Sequence, residues 1–173
     1  MRKLGLMRLV LSGLMIALVT VMTMLIHWQV PFLTQGAYIH PGDSMIYLSG
    51  YLLGGPLAAI IGGIGSAIAD SLVGAYQYTF ATLVIKTIMG FIAGYFLYRR
   101  QNQTLKIGIF GMILSSIWMV LGYTIYEYFA FGAGYLVTSV PWNIIQAISG
   151  VLIAVPIIGI IRKISYIENI RKL

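Results

Sequence analysis

The chain has 173 residues, 60% of them hydrophobic and 9% charged, with a mean hydropathy of +0.93. That balance excludes an ordinary soluble domain, and at about 20 apolar residues per crossing the length holds about six or seven membrane helices and nothing more. There is no cysteine, which excludes a disulfide framework and thiolate metal sites, and the net charge of +7 raises a nucleic-acid partner that the placement of the charges must test.

The first apolar run, 9–28, follows the basic residues Arg2, Lys3 and Arg8. It resembles a signal peptide superficially, but Thr23-Met24-Leu25-Ile26-His27-Trp28 offers no small-residue cleavage pattern, so it reads as a retained helix. A turn-rich loop from Pro31 to Asp43 follows, closing at Pro41-Gly42-Asp43-Ser44, where Asp43 or Ser44 reads as a helix cap. The apolar stretch 44–74 would make a helix of roughly 46 Å, too long for one crossing. Gly54-Gly55-Pro56 divides it into helices 44–54 and 56–74. Helices 79–98, 107–131 and 139–161 come next, separated by 99–106 and 132–138. The expectation is an all-α membrane protein, one domain over 1–173 with six transmembrane helices.

The basic residues test this count, because Lys and Arg gather in cytoplasmic loops and tails. Three clusters stand out: Arg2, Lys3 and Arg8; Arg99, Arg100 and Lys106; and Arg162, Lys163, Arg171 and Lys172. All fall on one side only with six crossings, which places both termini in the cytoplasm. Ten of the eleven basic residues then mark cytoplasmic flanks, and no nucleic-acid partner is needed to explain the charge. The eleventh, Lys86, lies inside a helix.

Ionisable groups within hydrocarbon cost at least ~2.5 kcal/mol each and so point to function by default. Asp70 lies one turn from the outer end of the third helix, Glu127 one turn from that of the fifth, and Lys86 two turns into the fourth. Asn143 and Gln146, spaced i, i+3 beside Trp142, occupy the start of the sixth. Thr82 and Lys86 share a face, as do Tyr123, Tyr126 and Glu127. Together they describe a polar, aromatic pocket in the outer half of the bundle.

Structural readings stand beside these. Lys86 pairs with Asp70 or Glu127 if it serves only to neutralise charge, and Glu127 snorkels to the interface if it does not bind. His40 reads first as a loop residue and stays among the substrate-binding candidates, while His27 and Trp28 read as an interfacial anchor. Asn143 and Gln146 serve as interhelical bonds in the plainer account. Small residues at four-residue spacing, Gly13 and Ala17, Ala59-Gly63-Ala67, and Gly90 and Gly94, mark close helix packing, and the first pair is placed to face another subunit. No H-E-x-x-H zinc site and no P-loop occurs, so enzymatic chemistry has little support and the chain does not use ATP by itself.

Several stretches carry a family resemblance: Pro41-Gly42-Asp43, Leu53-Gly54-Gly55-Pro56, Gly65-Ser66-Ala67-Ile68-Ala69-Asp70, Lys86 with Gly90-Phe91-Ile92-Ala93-Gly94, and Pro141-Trp142-Asn143-Ile144-Ile145-Gln146. The chain resembles an S component of the energy-coupling-factor (ECF) vitamin importers, closest to the hydroxymethylpyrimidine or pyridoxine-type branch. The resemblance implies a substrate-binding subunit in the bacterial plasma membrane that captures a small vitamin from outside. The loop from Pro31 to Gly42 would close over it, and the subunit would topple in the bilayer to release it inward. A transmembrane coupling protein and two cytoplasmic ATPases would drive the cycle, the ATP being theirs and no cofactor being bound by this chain. The first helix would dock on the coupling protein through small residues, here Gly13 and Ala17.

On that reading Asp70, Lys86, Glu127, Asn143 and Gln146 bond the polar groups of the ligand, with His40 nearby, while Tyr123 and Trp142 pack on its ring. Asp70 and Glu127 against Lys86 favour a neutral or weakly cationic heterocycle over a multiply anionic one. A self-sufficient carrier or channel, and less readily an intramembrane hydrolase using Ser66, are the competing readings.

Overall fold

The computed structural model describes residues 2–29, 38–98 and 105–164. Six helices carry the fold: α1 (Arg2–Leu25), α2 (Gly42–Leu53), α3 (Gly55–Leu72), α4 (Tyr76–Leu97), α5 (Leu105–Phe131) and α6 (Ala133–Ile161). Between α1 and α2, β1 (Trp28–Gln29) pairs antiparallel with β2 (Tyr38–Ile39), Trp28 opposite Ile39. Five helices, all but α2, are long and apolar enough to cross a membrane. At 12 residues α2 reaches only about 18 Å, short of the ~30 Å hydrocarbon core.

Contacts between helix ends give the topology. At one end of the bundle Thr23 of α1 meets His40, Asp43 of α2 meets Lys86 of α4 and Gln146 of α6, Asp70 of α3 meets Tyr38 of β2, and Glu127 of α5 meets Tyr78 of α4 and Asn143 of α6. At the other end Arg8 of α1 donates to the Leu53 carbonyl closing α2 and to the Tyr98 hydroxyl just past α4. Successive helices therefore alternate in direction. The basic residues Arg8, Lys106, Arg162 and Lys163 consequently share the end opposite the polar cluster; the rest of the 99–104 loop and Arg171 and Lys172 lie outside the described residues.

The short α2 is the hub. Eleven of its twelve residues are buried, and it touches α1, α3, α4 and α6. Because protein surrounds it, nothing requires it to match the bilayer thickness. Its first turn starts below the mouth of the bundle, and β2 fills the depth above it.

Several boundaries differ from the sequence expectation. The first helix stops at Leu25, not Trp28, because Trp28 and Gln29 give their backbone groups to β2. Residues 133–138, expected as loop, are helical, so Gly132 alone separates α5 from α6. Gly54 does the same between α2 and α3. Both have φ near +87° with extended ψ, a region open essentially only to glycine, and a single residue so bent ends one helix and starts the next. The tightest packing is α3 on α4, where a Cβ on Gly90 would stand 2.3 Å from the Ala58 carbonyl oxygen. This accounts for one of the small-residue stripes as internal packing.

Candidate functional site

The alternation of the helices brings polar side chains from α3, α4, α5 and α6 to one end, around a cleft that β2 covers. Tyr38, His40, Asp70, Tyr78, Thr82 and Tyr123 line it together with Glu127, Asn143 and Gln146. Its volume is about 40 Å³, room for a few waters at about 10–15 Å³ each, and small for an organic ligand.

Two carboxyl groups dominate the walls. Asp70, 4% exposed, accepts a hydrogen bond on Oδ1 from the Tyr38 hydroxyl, and its Oδ2 is buried without a partner. Glu127, 2% exposed, accepts from Tyr78 on Oε1 (3.3 Å) and from Asn143 Nδ2 on Oε2 (3.1 Å). Neither has a cationic nitrogen within 4 Å among the described residues. Aromatic rings surround them: Tyr78 packs against Tyr123, Tyr126 and Phe131, and its hydroxyl meets that of Tyr135 at 2.9 Å. Thr82 bonds the Tyr123 hydroxyl at 3.0 Å.

Beneath the cleft lies the ion pair of the described residues, Lys86 Nζ to Asp43 Oδ1 at 2.5 Å, both side chains wholly buried. Gln146 Nε2 donates to the second carboxylate oxygen of Asp43 at 3.1 Å, and Lys86 also meets Met119 Sδ and lies 5.5 Å from the Tyr123 ring centre. This corrects two expectations. Asp43 is not a helix cap: α2 has no side-chain cap, and Asp43 instead turns inward to Lys86. Lys86 pairs with neither Asp70 nor Glu127 but with Asp43, because α2 and α4 pack side by side at that depth. With its charge already met by Asp43, Lys86 leaves the carboxyl groups above it unbalanced.

His40 is buried at the junction of β2 and α2, outside the membrane-spanning segments. The Gly42 amide donates to its Nδ1 at 3.1 Å, so Nδ1 is an acceptor and the proton resides on Nε2. Thr23 Oγ1 of α1 stands 3.4 Å from the same atom. Burial pushes the imidazole down to about 4, so it is neutral at physiological pH. Burial and the neighbouring Asp70 push the Tyr38 phenol up, which keeps it a proton donor to that carboxylate.

The structure thus gathers His40, Asp70, Tyr123, Glu127, Asn143 and Gln146 at one cleft. Lys86 lies just below it, and Trp142 is half-buried outside its lining. Tyr38, Tyr78 and Thr82 join the lining. Thr82 was marked by its spacing from Lys86; Tyr38 sits in a connection whose fold no periodicity encodes, and Tyr78 precedes the expected start of its helix. Among the described residues no group of three histidine or acidic side chains converges as a metal site. On the outside of α1, Gly13 and Ala17 are exposed, and nothing lies within 4 Å of where a Cβ on Gly13 would be.

Comparison with known proteins bears on this arrangement. The family described as ECF-type riboflavin transporter, S component, matches residues 3–163. A protein of Pyrococcus woesei described only as uncharacterized is 39% identical over 78% of this chain and 88% of its own. The thiamine precursor transporter HmpT of Lactococcus lactis is 31% identical over 75% of this chain and 73% of its own.

Proposed function

The chain belongs to the family of ECF-type transporter S components, membrane-embedded transport proteins, and we propose that it captures a small basic heterocycle, a hydroxymethylpyrimidine or pyridoxine-like vitamin or precursor. The observation that carries this reading is the pair of carboxyl groups, Asp70 and Glu127, set in a cleft of tyrosines with no cationic partner among the described residues. A buried carboxylate lacking a counter-charge is costly, and a ligand with a protonated or amino-bearing aromatic ring supplies the missing charge and donors. Tyrosine faces attract such a ring through its charge and its flatness.

Size points the same way. A cleft of about 40 Å³ suits a single small ring better than the three fused rings of riboflavin. The similarity to HmpT, a thiamine precursor transporter, supports the pyrimidine branch for this chain.

The basic residues at the end opposite the cleft support a cytoplasmic position for that end, with the cleft open to the outside. The six helices span as one membrane domain, α2 crossing only within the protein. Delivery inward requires a coupling protein and two ATPases, and the exposed Gly13 and Ala17 face of α1 supplies a surface where a partner helix can approach closely. The residues assigned to the ligand are Asp70, Glu127, Asn143, Gln146 and His40 for its polar groups and Tyr123 and Tyr78 for its ring, with Lys86 holding the floor.

The test is binding to the purified chain, followed by tryptophan fluorescence, across hydroxymethylpyrimidine, pyridoxine, thiamine and riboflavin. Saturable binding of one of the first two, without transport by the chain alone in proteoliposomes, is the expected result. Riboflavin as the tight ligand overturns the substrate class, and unaided transport overturns the role as a capture subunit. Unchanged affinity after Asn143→Ala and Glu127→Ala would sink the site assignment.

A further inference from the structure

A second cavity, about 400 Å³, opens at the end of the bundle opposite the cleft, between α1, α3 and α4. Arg8 stands on one wall; Gly55 and Pro56 at the start of α3, and Phe91, Tyr95 and Tyr98 along the end of α4, form the rest. The guanidinium is held in place. Its Nη2 donates to the Leu53 carbonyl at 3.2 Å and to the Tyr98 hydroxyl at 3.1 Å, and its carbon lies 5.9 Å from the Tyr98 ring centre. Both bonds use the same nitrogen, so Nε and Nη1 keep donors for another acceptor.

No carboxylate among the described residues pairs with that cation. Among the described residues the ion pair is Lys86 with Asp43, at the other end. Asp70 and Glu127 are also there, and the fourth acidic residue, Glu168, lies outside the described residues. The other described charges at that end of the bundle, Lys106, Arg162 and Lys163, are positive as well. The depth is that of a membrane interface: Arg8 immediately precedes the apolar face of α1, and Tyr95 and Tyr98 sit where aromatic residues collect at the headgroup level. From there the groove runs toward the middle of the bilayer past Phe91, 49% exposed.

We propose that this groove is a binding site for one anionic phospholipid, its phosphate on Arg8 and the upper part of an acyl chain against Pro56 and Phe91. A guanidinium fixed at the interface keeps its charge and the Nε and Nη1 donors for single, charge-assisted bonds to phosphate oxygens, and the apolar groove below it matches the chain that the phosphate carries. Net negative headgroup charge is favoured because the described charges at that end are all positive. The proposal requires only that this end lie at a bilayer interface, not that the cleft bind a vitamin, so the two readings fail separately.

The experiment is native mass spectrometry of the purified chain released from nanodiscs containing phosphatidylglycerol and phosphatidylcholine with identical acyl chains. Retention of one phosphatidylglycerol in preference to phosphatidylcholine is expected. Arg8→Gln should lower that retention about fivefold, the effect of one interfacial basic residue. Arg8→Lys should keep more of it than Arg8→Gln, and Lys163→Gln, an equal loss of charge at the same end, should leave it unchanged. Unfolding temperature confirms that each variant is folded, and a second variant, Pro56→Trp, blocks the groove without touching the charge and should also reduce retention. Equal retention of the two lipids, or equal effects of Arg8→Gln and Lys163→Gln, overturns the site in favour of general surface attraction. Loss of coupling-protein association in Arg8→Gln with no lipid preference in the native chain overturns it in favour of a protein contact.

Discussion

Replacing Lys86 by Met removes the cation beneath the cleft while keeping most of its volume. Asp43 would then stay wholly buried, 0% exposed, with one amide donor, Gln146, in place of an ion pair. Breaking one side of a buried pair costs ~3–5 kcal/mol, because the charge that remains has lost its solvent and its partner. At ~2–4 °C per kcal/mol for a chain of this size, the unfolding midpoint should fall by ~6–20 °C. Neutralising both members, Asp43→Asn with Lys86→Met, removes the orphaned charge and should recover most of that loss, since a buried pair is often worth little against neutral groups of similar shape. Thermal unfolding of the four proteins in one detergent, followed by tryptophan fluorescence, closes the cycle. If Lys86→Met alone is as stable as the native chain, or the double variant is no better than the single, the pair is not what holds α2 against α4.

Asp70→Asn should weaken binding of a basic heterocycle by ~10–100-fold, the worth of one charge-assisted hydrogen bond; titration calorimetry measures the loss and thermal unfolding checks that the variant is folded. His40 gives a pH dependence. Its folded pKa of about 4 lies below the unfolded ~6.5, so folding favours the neutral ring: its stability is fully present above about pH 6.5 and declines as pH falls toward 4. The loss attributable to this ring is at most about 3 kcal/mol, and His40→Asn should lose correspondingly less between pH 7 and 4 in the same unfolding assay. Gly90→Ala should destabilise by ~1–3 kcal/mol, because its methyl meets the Ala58 carbonyl at 2.3 Å and α3 must move; an unchanged midpoint would show that α3 and α4 slide apart freely.

Much of the candidate site was legible as depth. Asp70, Glu127, Asn143 and Gln146 are separated by up to 76 positions, yet counting turns from the helix ends puts all four at one level, and they line one cleft. Thr82 was visible by its spacing from Lys86. Asp43 was misread, since a Pro-Gly-Asp-Ser run before an apolar stretch has the composition of a cap whether its carboxylate turns back to the backbone or inward to a lysine. Trp142 adjoins Asn143 in sequence but points to a different side of α6, about 100° away, as neighbouring helical residues must.

The sequence by itself determined the solvent, the number of helices and their alternation, because hydropathy, helix length and the placement of Lys and Arg are properties of single segments measured against a bilayer of fixed thickness. Partnerships between segments depended on tertiary structure. That α2 is a short buried hub, that Lys86 answers Asp43 and so leaves Asp70 and Glu127 uncompensated, and that β2 lowers Tyr38 and His40 into the mouth of the bundle all depend on how helices rotate and slide against one another. Those choices are made by side-chain packing across positions distant in the chain, and no local pattern of residues records them.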